Sequence, residues 1–307
     1  MRKTIFFFLF SILPLMSLEI EELSWENQDG ASAQEFNGYL QKAINDKNWW
    51  HVVDYAGILS YHFPSSPFAQ DAAFIIGEAY LHLNRPFQAN VYFSAYLNTQ
   101  ASPRRFEEAI THKFQIAERF ANGEKKPLFN DHGPKWLSAK EDAIEIYDQV
   151  ISTLPHSEFA AKSLLGKAKI QAELEDYKPS LETLDLLIRR FPKHELAAAA
   201  YLEKIHVFYL QCQGRSLDPD LLDLAQVCLK KFRTVFPREA RIQEAEETIH
   251  KMEEAFAQNL LTTGSFFQKT RKIPAAKIYY RKAIAKYPNT EAANEAKEKL
   301  EKLDDSI

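Results

Sequence analysis

Nine histidines and two cysteines are the side chains in this 307-residue chain best suited to nucleophilic, acid–base or metal chemistry. Their spacing supports none of the three. A zinc site needs His or Cys pairs a few residues apart, and a hydrolytic zinc helix needs His-Glu-x-x-His; the sequence has neither. It also lacks a glycine-rich phosphate loop, a Gly-x-Ser-x-Gly elbow and a dinucleotide fingerprint. His51, His62, His82, His112, His194, His206 and His250 fall singly in segments predicted to be helical, where an isolated imidazole packs or faces water. The carboxylate pairs Glu107-Glu108 and Glu253-Glu254 read as solvated helix faces. The chain is therefore expected not to be an enzyme and to have no catalytic, cofactor-binding or metal-binding residues. Cys212 and Cys228 flank a predicted turn at Gly214 to Pro219. That turn leaves them about two helical turns apart, roughly 10 Å, beyond disulfide reach, so two buried thiols are expected.

Binding chemistry is better represented. Between Lys269 and Lys286 lie seven basic residues (Lys269, Arg271, Lys272, Lys277, Arg281, Lys282, Lys286) and no acidic one. Such a segment can steer an acidic partner, or it can be a solvated face balanced by Glu291, Glu295 and Glu298. Partner contacts are assigned to Arg271, Lys272, Lys277 and Arg281. A second candidate is the insertion near 122–136, where Phe129 and Trp136 stand among Pro127, Asn130, Asp131, Gly133 and Pro134. Aromatics in a loop of this composition can meet a partner or fold back and plug their own repeat, and plugging is the expectation. The formal charge of −4, or −6 without Arg2 and Lys3, excludes general binding to nucleic acid.

The elements that must position these residues are helical. Only nine glycines, with abundant Ala, Leu, Glu and Lys, favour helices over sheets. Phe63-Pro64, Leu154-Pro155, Phe191-Pro192, Phe236-Pro237 and Tyr287-Pro288 recur after helical runs. Proline ends one helix and suits the first turn of the next. Near the C-terminus, Gly264, Phe267, Ala276, Tyr280, Ala283 and Pro288 match the offsets of the tetratricopeptide repeat; Gly77, Tyr80, Ala89 and Phe93 repeat them upstream. Gly and Ala belong where antiparallel helices touch, and Tyr and Phe fill the space between them. The fold expected is all-α, a right-handed superhelical solenoid of about six helical hairpins with a C-terminal capping helix from about Thr290 to Leu303. The proline-free stretch from Glu239 to Lys269 predicts one long helix or two collinear ones.

The N-terminus carries an address. Arg2 and Lys3 precede about a dozen apolar residues ending at Met16, followed by the acidic stretch Glu19 to Glu26, which is signal-peptide architecture. A membrane span would need about 20 apolar residues. The domain expectation is a signal peptide at 1–17, an acidic flexible segment at 18–32, N-terminal repeats at 33–195 with the insertion near 122–136, and C-terminal repeats with the capping helix at 196–307. No cysteine precedes Cys212, so no direct lipid anchor is expected. The chain is placed in the periplasm, reaching a membrane only through partners.

The run Gly264-Ser-Phe-Phe-Gln-Lys-Thr-Arg-Lys-Ile-Pro-Ala-Ala-Lys-Ile-Tyr-Tyr-Arg-Lys-Ala-Ile-Ala-Lys-Tyr-Pro-Asn-Thr290 resembles the BamD (YfiO/ComL) outer-membrane assembly family, which shows an aromatic pair, a paired Ala and then Tyr-Pro-x-Thr. The likeness covers roughly Leu196 to Leu303. It implies a non-enzymatic repeat scaffold on the periplasmic face of the outer membrane, without cofactors, whose partner is the barrel-inserting assembly protein. The family is lipid-anchored through an N-terminal cysteine, which is missing here. It also has an arginine where this chain has Tyr279, so a contact through that arginine is not carried over. Phe63-Pro64-Ser-Ser-Pro-Phe-Ala-Gln-Asp-Ala-Ala-Phe-Ile-Ile-Gly-Glu-Ala-Tyr80 is similar to the repeats of soluble periplasmic division factors of the Tol-Pal system. A non-catalytic superhelix associated with a cell-wall enzyme is a further reading.

Overall fold

The computed structural model describes residues 32–99, 103–129, 132–213 and 218–304, and the side chains of these except 127–129 and 132–136. The expected signal peptide and nearly all of the acidic segment lie outside the described residues. Thirteen helices and two strands are described: α1 Ala33–Asn45, α2 Trp49–His62, α3 Ala72–His82, α4 Pro86–Thr99, α5 Phe106–Ala121, β1 Lys125–Phe129, β2 His132–Ser138, α6 Lys140–Thr153, α7 Glu158–Glu173, α8 Tyr177–Arg190, α9 Glu195–Cys212, α10 Pro219–Val235, α11 Arg241–Lys269, α12 Ile273–Lys286 and α13 Glu291–Asp304. The protein is an all-α repeat solenoid; α1 with α2, α3 with α4, α7 with α8, α9 with α10 and α11 with α12 pack as helical hairpins, and α13 packs on α12. It divides into two compact units, one up to Arg119 with 126–137, the other 120–125 with Ser138 onward.

Many helices begin on a residue that satisfies their free N–H groups. Ser32 and Glu35 form a reciprocal capping box at α1, Asn48 accepts from His51 N at α2, and Ser157 accepts from Ala160 N at α7. His194 is not inside a helix. It is the N-cap of α9, its Nδ1 accepting from Leu196 N at 3.1 Å.

Four of the hairpins share one turn. Lys47, Asn84, Glu175 and Arg271 are all left-handed, with φ of 54°, 56°, 63° and 60°. At each, the following N–H returns to a carbonyl five residues back (Asn48 to Ala43, Arg85 to Tyr80, Asp176 to Gln171, Lys272 to Phe267), and the left-handed residue's own N–H returns three back. That pair of bonds is the Schellman motif, which closes the first helix and aims the chain into the second.

In the first unit α1 packs on α2, α2 on α3, and α3 on α4. The core includes Phe36, Leu40, Val52, Leu59 and Ile76. Gly77 of α3 is required by closeness: a Cβ there would stand 2.8 Å from the ring of Phe93 in α4. The insertion expected as a loop is instead a two-stranded ladder of β1 and β2, antiparallel because only two residues join the strands. Pro127 and Pro134 are compatible with the ladder because both strands of a two-stranded ladder are edges, where proline is tolerated.

In the second unit the expected stretch from Glu239 forms the single 29-residue helix α11. Gly166 and Gly264 repeat the close contact, a Cβ reaching 2.8 Å from Tyr147 and 2.6 Å from Tyr280 respectively. Three clusters run along this unit, one of them around Tyr280, Ala276, Ala283 and Ala296. Glu253 and Glu254 are not merely solvated. Glu254 accepts from Glu291 N at 2.8 Å and Ala292 N at 2.9 Å, capping α13, and Glu253 accepts from Gln226 at 3.1 Å.

Candidate partner-binding surfaces

The first unit holds a groove of about 390 Å³ lined by Gln41, Ile44, Trp49, Val52, Ile75, Glu78, His82 and Arg105. Helix spacing explains its composition. Ile44, Trp49, Val52 and Ile75 belong to the core of α1, α2 and α3 or pack against it and border one opening, and Arg105 arrives from the segment ahead of α5. Trp49 stacks flat on His82, ring centroids 3.8 Å apart. With Ile44, Val52 and Ile75 this makes an apolar wall.

Arg105 is the polar anchor. Its guanidinium lies 3.8 Å above the Phe74 ring and bonds Glu78 at 3.1 Å and Glu108 at 2.7 Å. Its backbone N–H donates to Tyr96 Oη at 2.9 Å, and that hydroxyl donates to Asp71 at 3.0 Å. His112 stands 3.8 Å from the other Glu78 oxygen. Burial acts to raise the Glu78 carboxyl, but the nearby His112 and the charge and hydrogen bond of Arg105 outweigh it and hold the group below its ordinary value. An apolar wall beside a fixed carboxylate–guanidinium pair can take bulky side chains of an extended polypeptide while its polar groups meet the backbone. Sequence reading missed this site. Its members are spread from residue 41 to 105, and of them only His82 is singled out in the sequence, as an isolated helical imidazole.

The second surface is the basic hairpin of the second unit. Lys269, Arg271, Lys272, Arg281, Lys282 and Lys286 are exposed on the end of α11, the turn and α12. Lys277 differs: it is largely covered and paired with Asp304 of α13 at 2.5 Å. Its charge holds the capping helix and is not displayed to a partner. Two large apolar side chains, Phe266 and Ile278, are 61 % exposed on the same hairpin. Phe267 and Tyr279 stack at 5.3 Å.

The remaining sequence-selected residues fall as follows. Ala89, Phe93, Ala276, Tyr280 and Ala283 are fully buried, Tyr80 stacks on Tyr92 at 5.4 Å, and Pro288 is exposed in the turn before α13. Phe129 closes β1 and Trp136 lies in β2, their side chains being outside the description. Cys212 and Cys228 are buried free thiols. Burial, the largest cause, lifts both to about 11, far from the thiolate needed for reactivity. Among the described residues no group of three or more His, Cys, Asp or Glu is placed to hold a metal, and no helix is long and apolar enough to cross a membrane.

No curated protein matches the chain. Among solved structures, a tetratricopeptide repeat protein from Parabacteroides merdae is similar at 14 % identity, covering 88 % of this chain and 98 % of its own, with a TM-score of 0.36. Residues 137–305, from the end of β2 to the end of α13, match the family described as YfiO, outer membrane lipoprotein. Because that match takes in more than half of the chain and every helix from α6 to α13, the protein belongs to the YfiO family of outer membrane lipoproteins.

Proposed function

We propose that this protein is a non-catalytic scaffold of the cell envelope that acts in assembling β-barrel proteins into the outer membrane. The family match over residues 137–305 carries the reading. The groove around Trp49 and Arg105 and the basic hairpin around Arg271 and Arg281 supply two surfaces of different chemistry, as a scaffold holding more than one polypeptide needs. The basic hairpin fits an acidic face of a resident partner, the barrel-inserting assembly protein, through charge complementarity. The groove fits apolar and aromatic side chains of an extended segment. Binding rather than catalysis is further supported by the inert thiols and by the histidines: His112 lies among Glu78, Phe74 and Phe93, and His82 is stacked under Trp49. In this reading the chain works in the periplasm, peripheral to the outer membrane.

Affinity purification of the tagged full chain from envelope extracts tests the proposal. It predicts recovery of an outer-membrane barrel-inserting protein, reduced by the double change Arg271→Glu and Arg281→Glu. Recovery of cytosolic proteins alone would overturn it.

A further inference from the structure

Helix α10 buries one face against α9 and α11 and leaves the other exposed among the described residues. Leu222, Ala225, Cys228, Leu229 and Phe232 enter the core, whereas Leu224, Val227 and Val235 are 51 %, 52 % and 47 % exposed. At about 100° per residue, Val227 lies near the centre of the outward face, and Leu224 and Val235 lie about 60° and 80° round to one side of it. Scattered exposed leucines and valines are ordinary; three aligned over a 17-residue helix form a seam.

The charges around that seam are arranged by sign. Asp220 and Asp223 stand toward the N-terminal end of the face, and Lys230 and Lys231 toward the C-terminal end. None of the four makes an ion pair among the described residues. Two neighbours just off the face are engaged: Arg233 pairs with Glu246 of α11 at 2.6 Å, and Gln226 donates a hydrogen bond to Glu253 at 3.1 Å. The polar groups that can reach α11 are thus engaged within the chain, and those on the outward face are left open.

An acidic half and a basic half on either side of Leu224 and Val227, with Val235 beyond the lysines, are complementary to the same helix turned end for end. A two-fold axis crossing α10 at Val227 would lay two copies antiparallel, with Val227 against Val227. Asp220 and Asp223 of each copy would then lie beside Lys230 and Lys231 of the other. An isologous contact needs this self-complementarity, and a parallel pairing would set like charges together. We propose that the outward face of α10 is a self-association surface whose occupant is α10 of a second copy of this chain. The face is about 25 Å long. One helix covers less than the roughly 800 Å² per partner of a standard interface, so the dimer is weak and forms in the micromolar range. This inference does not depend on the proposed assembly role.

Sedimentation velocity on the full chain from about 1 to 200 µM, a range bracketing a micromolar Kd, reads the monomer–dimer equilibrium. The wild type should dimerise with rising concentration. Val227→Lys should weaken the dimer at least tenfold, and because the site is on the surface its thermal melt should be unchanged. Asp223→Lys and Lys230→Asp should each weaken it, while the double exchange restores it toward the wild-type value. A chain that stays monomeric throughout overturns the proposal, as does a dimer indifferent to Val227→Lys or a charge exchange that fails to rescue. A monomer that instead binds a different envelope protein through Val227 also overturns it and assigns the face to that protein.

Discussion

Replacing glycine by alanine should change sign between two neighbouring helices of the first unit. At Gly57 in α2 a Cβ meets nothing within 4 Å, so Gly57→Ala gains helix propensity alone and should stabilise by about 0.5–1 kcal/mol. At Gly77 in α3 the same atom stands 2.8, 2.9 and 3.0 Å from three carbons of the Phe93 ring. That ring cannot swing aside, being fully buried, edge-on to Phe74 at 5.4 Å and stacked on His112 at 5.1 Å. Overpacking costs about 1–3 kcal/mol. With no slack the upper part of that range, about 2–3 kcal/mol, applies, and after the propensity gain Gly77→Ala should lose about 1–2.5 kcal/mol. The two variants should therefore differ by about 2–3 kcal/mol. Urea titration followed by far-UV circular dichroism reads the difference directly, with the two midpoints moving in opposite directions. If Gly77→Ala is as stabilising as Gly57→Ala, the claim that close helix contact fixes this glycine is refuted.

Other outcomes follow from the turns, the thiols and the groove. Glu175 is left-handed without being glycine, so Glu175→Gly should raise stability by about 0.5–1 kcal/mol, measured as a higher urea midpoint; an unchanged or lower midpoint contradicts the turn assignment. With both thiols near 11 and buried, a thiol reagent at neutral pH should label neither Cys212 nor Cys228 until denaturant is added, when both react; rapid labelling of the native chain argues against the packing. Burial tends to raise Glu78, but His112 and Arg105 leave its folded value lowered. The stabilisation linked to that shift is complete above the ordinary value of 4.5 and is lost as pH falls through the lower folded value. Glu78→Gln should accordingly cost stability at neutral pH and progressively less in acid, and a cost independent of pH would contradict the sign.

The repeats were legible where one residue type answers one steric need. Gly77 with Phe93 and Gly264 with Tyr280 sit at fixed offsets because only glycine admits the ring, and spacing reveals that. The long α11 was legible from its helical period and lack of proline. The hairpin turns were not, since Lys47, Glu175 and Arg271 occupy positions where glycine would have been the signal. β1 and β2 were hidden by Pro127 and Pro134, which count against central strands but not against edges. The basic hairpin showed as a run of charge, but composition could not tell Lys277, paired with Asp304, from its exposed neighbours. The groove was the least legible feature, because Ile44, Trp49, Ile75 and Arg105 meet only through packing of helices far apart in sequence.

The central claim is that this chain serves β-barrel assembly. Depleting it and quantifying folded β-barrel proteins in the outer membrane, by their heat-dependent mobility on semi-native gels, tests that claim most directly. The account predicts that folded barrels fall while their unfolded precursors accumulate, and that restoring the wild-type chain reverses both. Unchanged levels of folded barrels after complete depletion would contradict it.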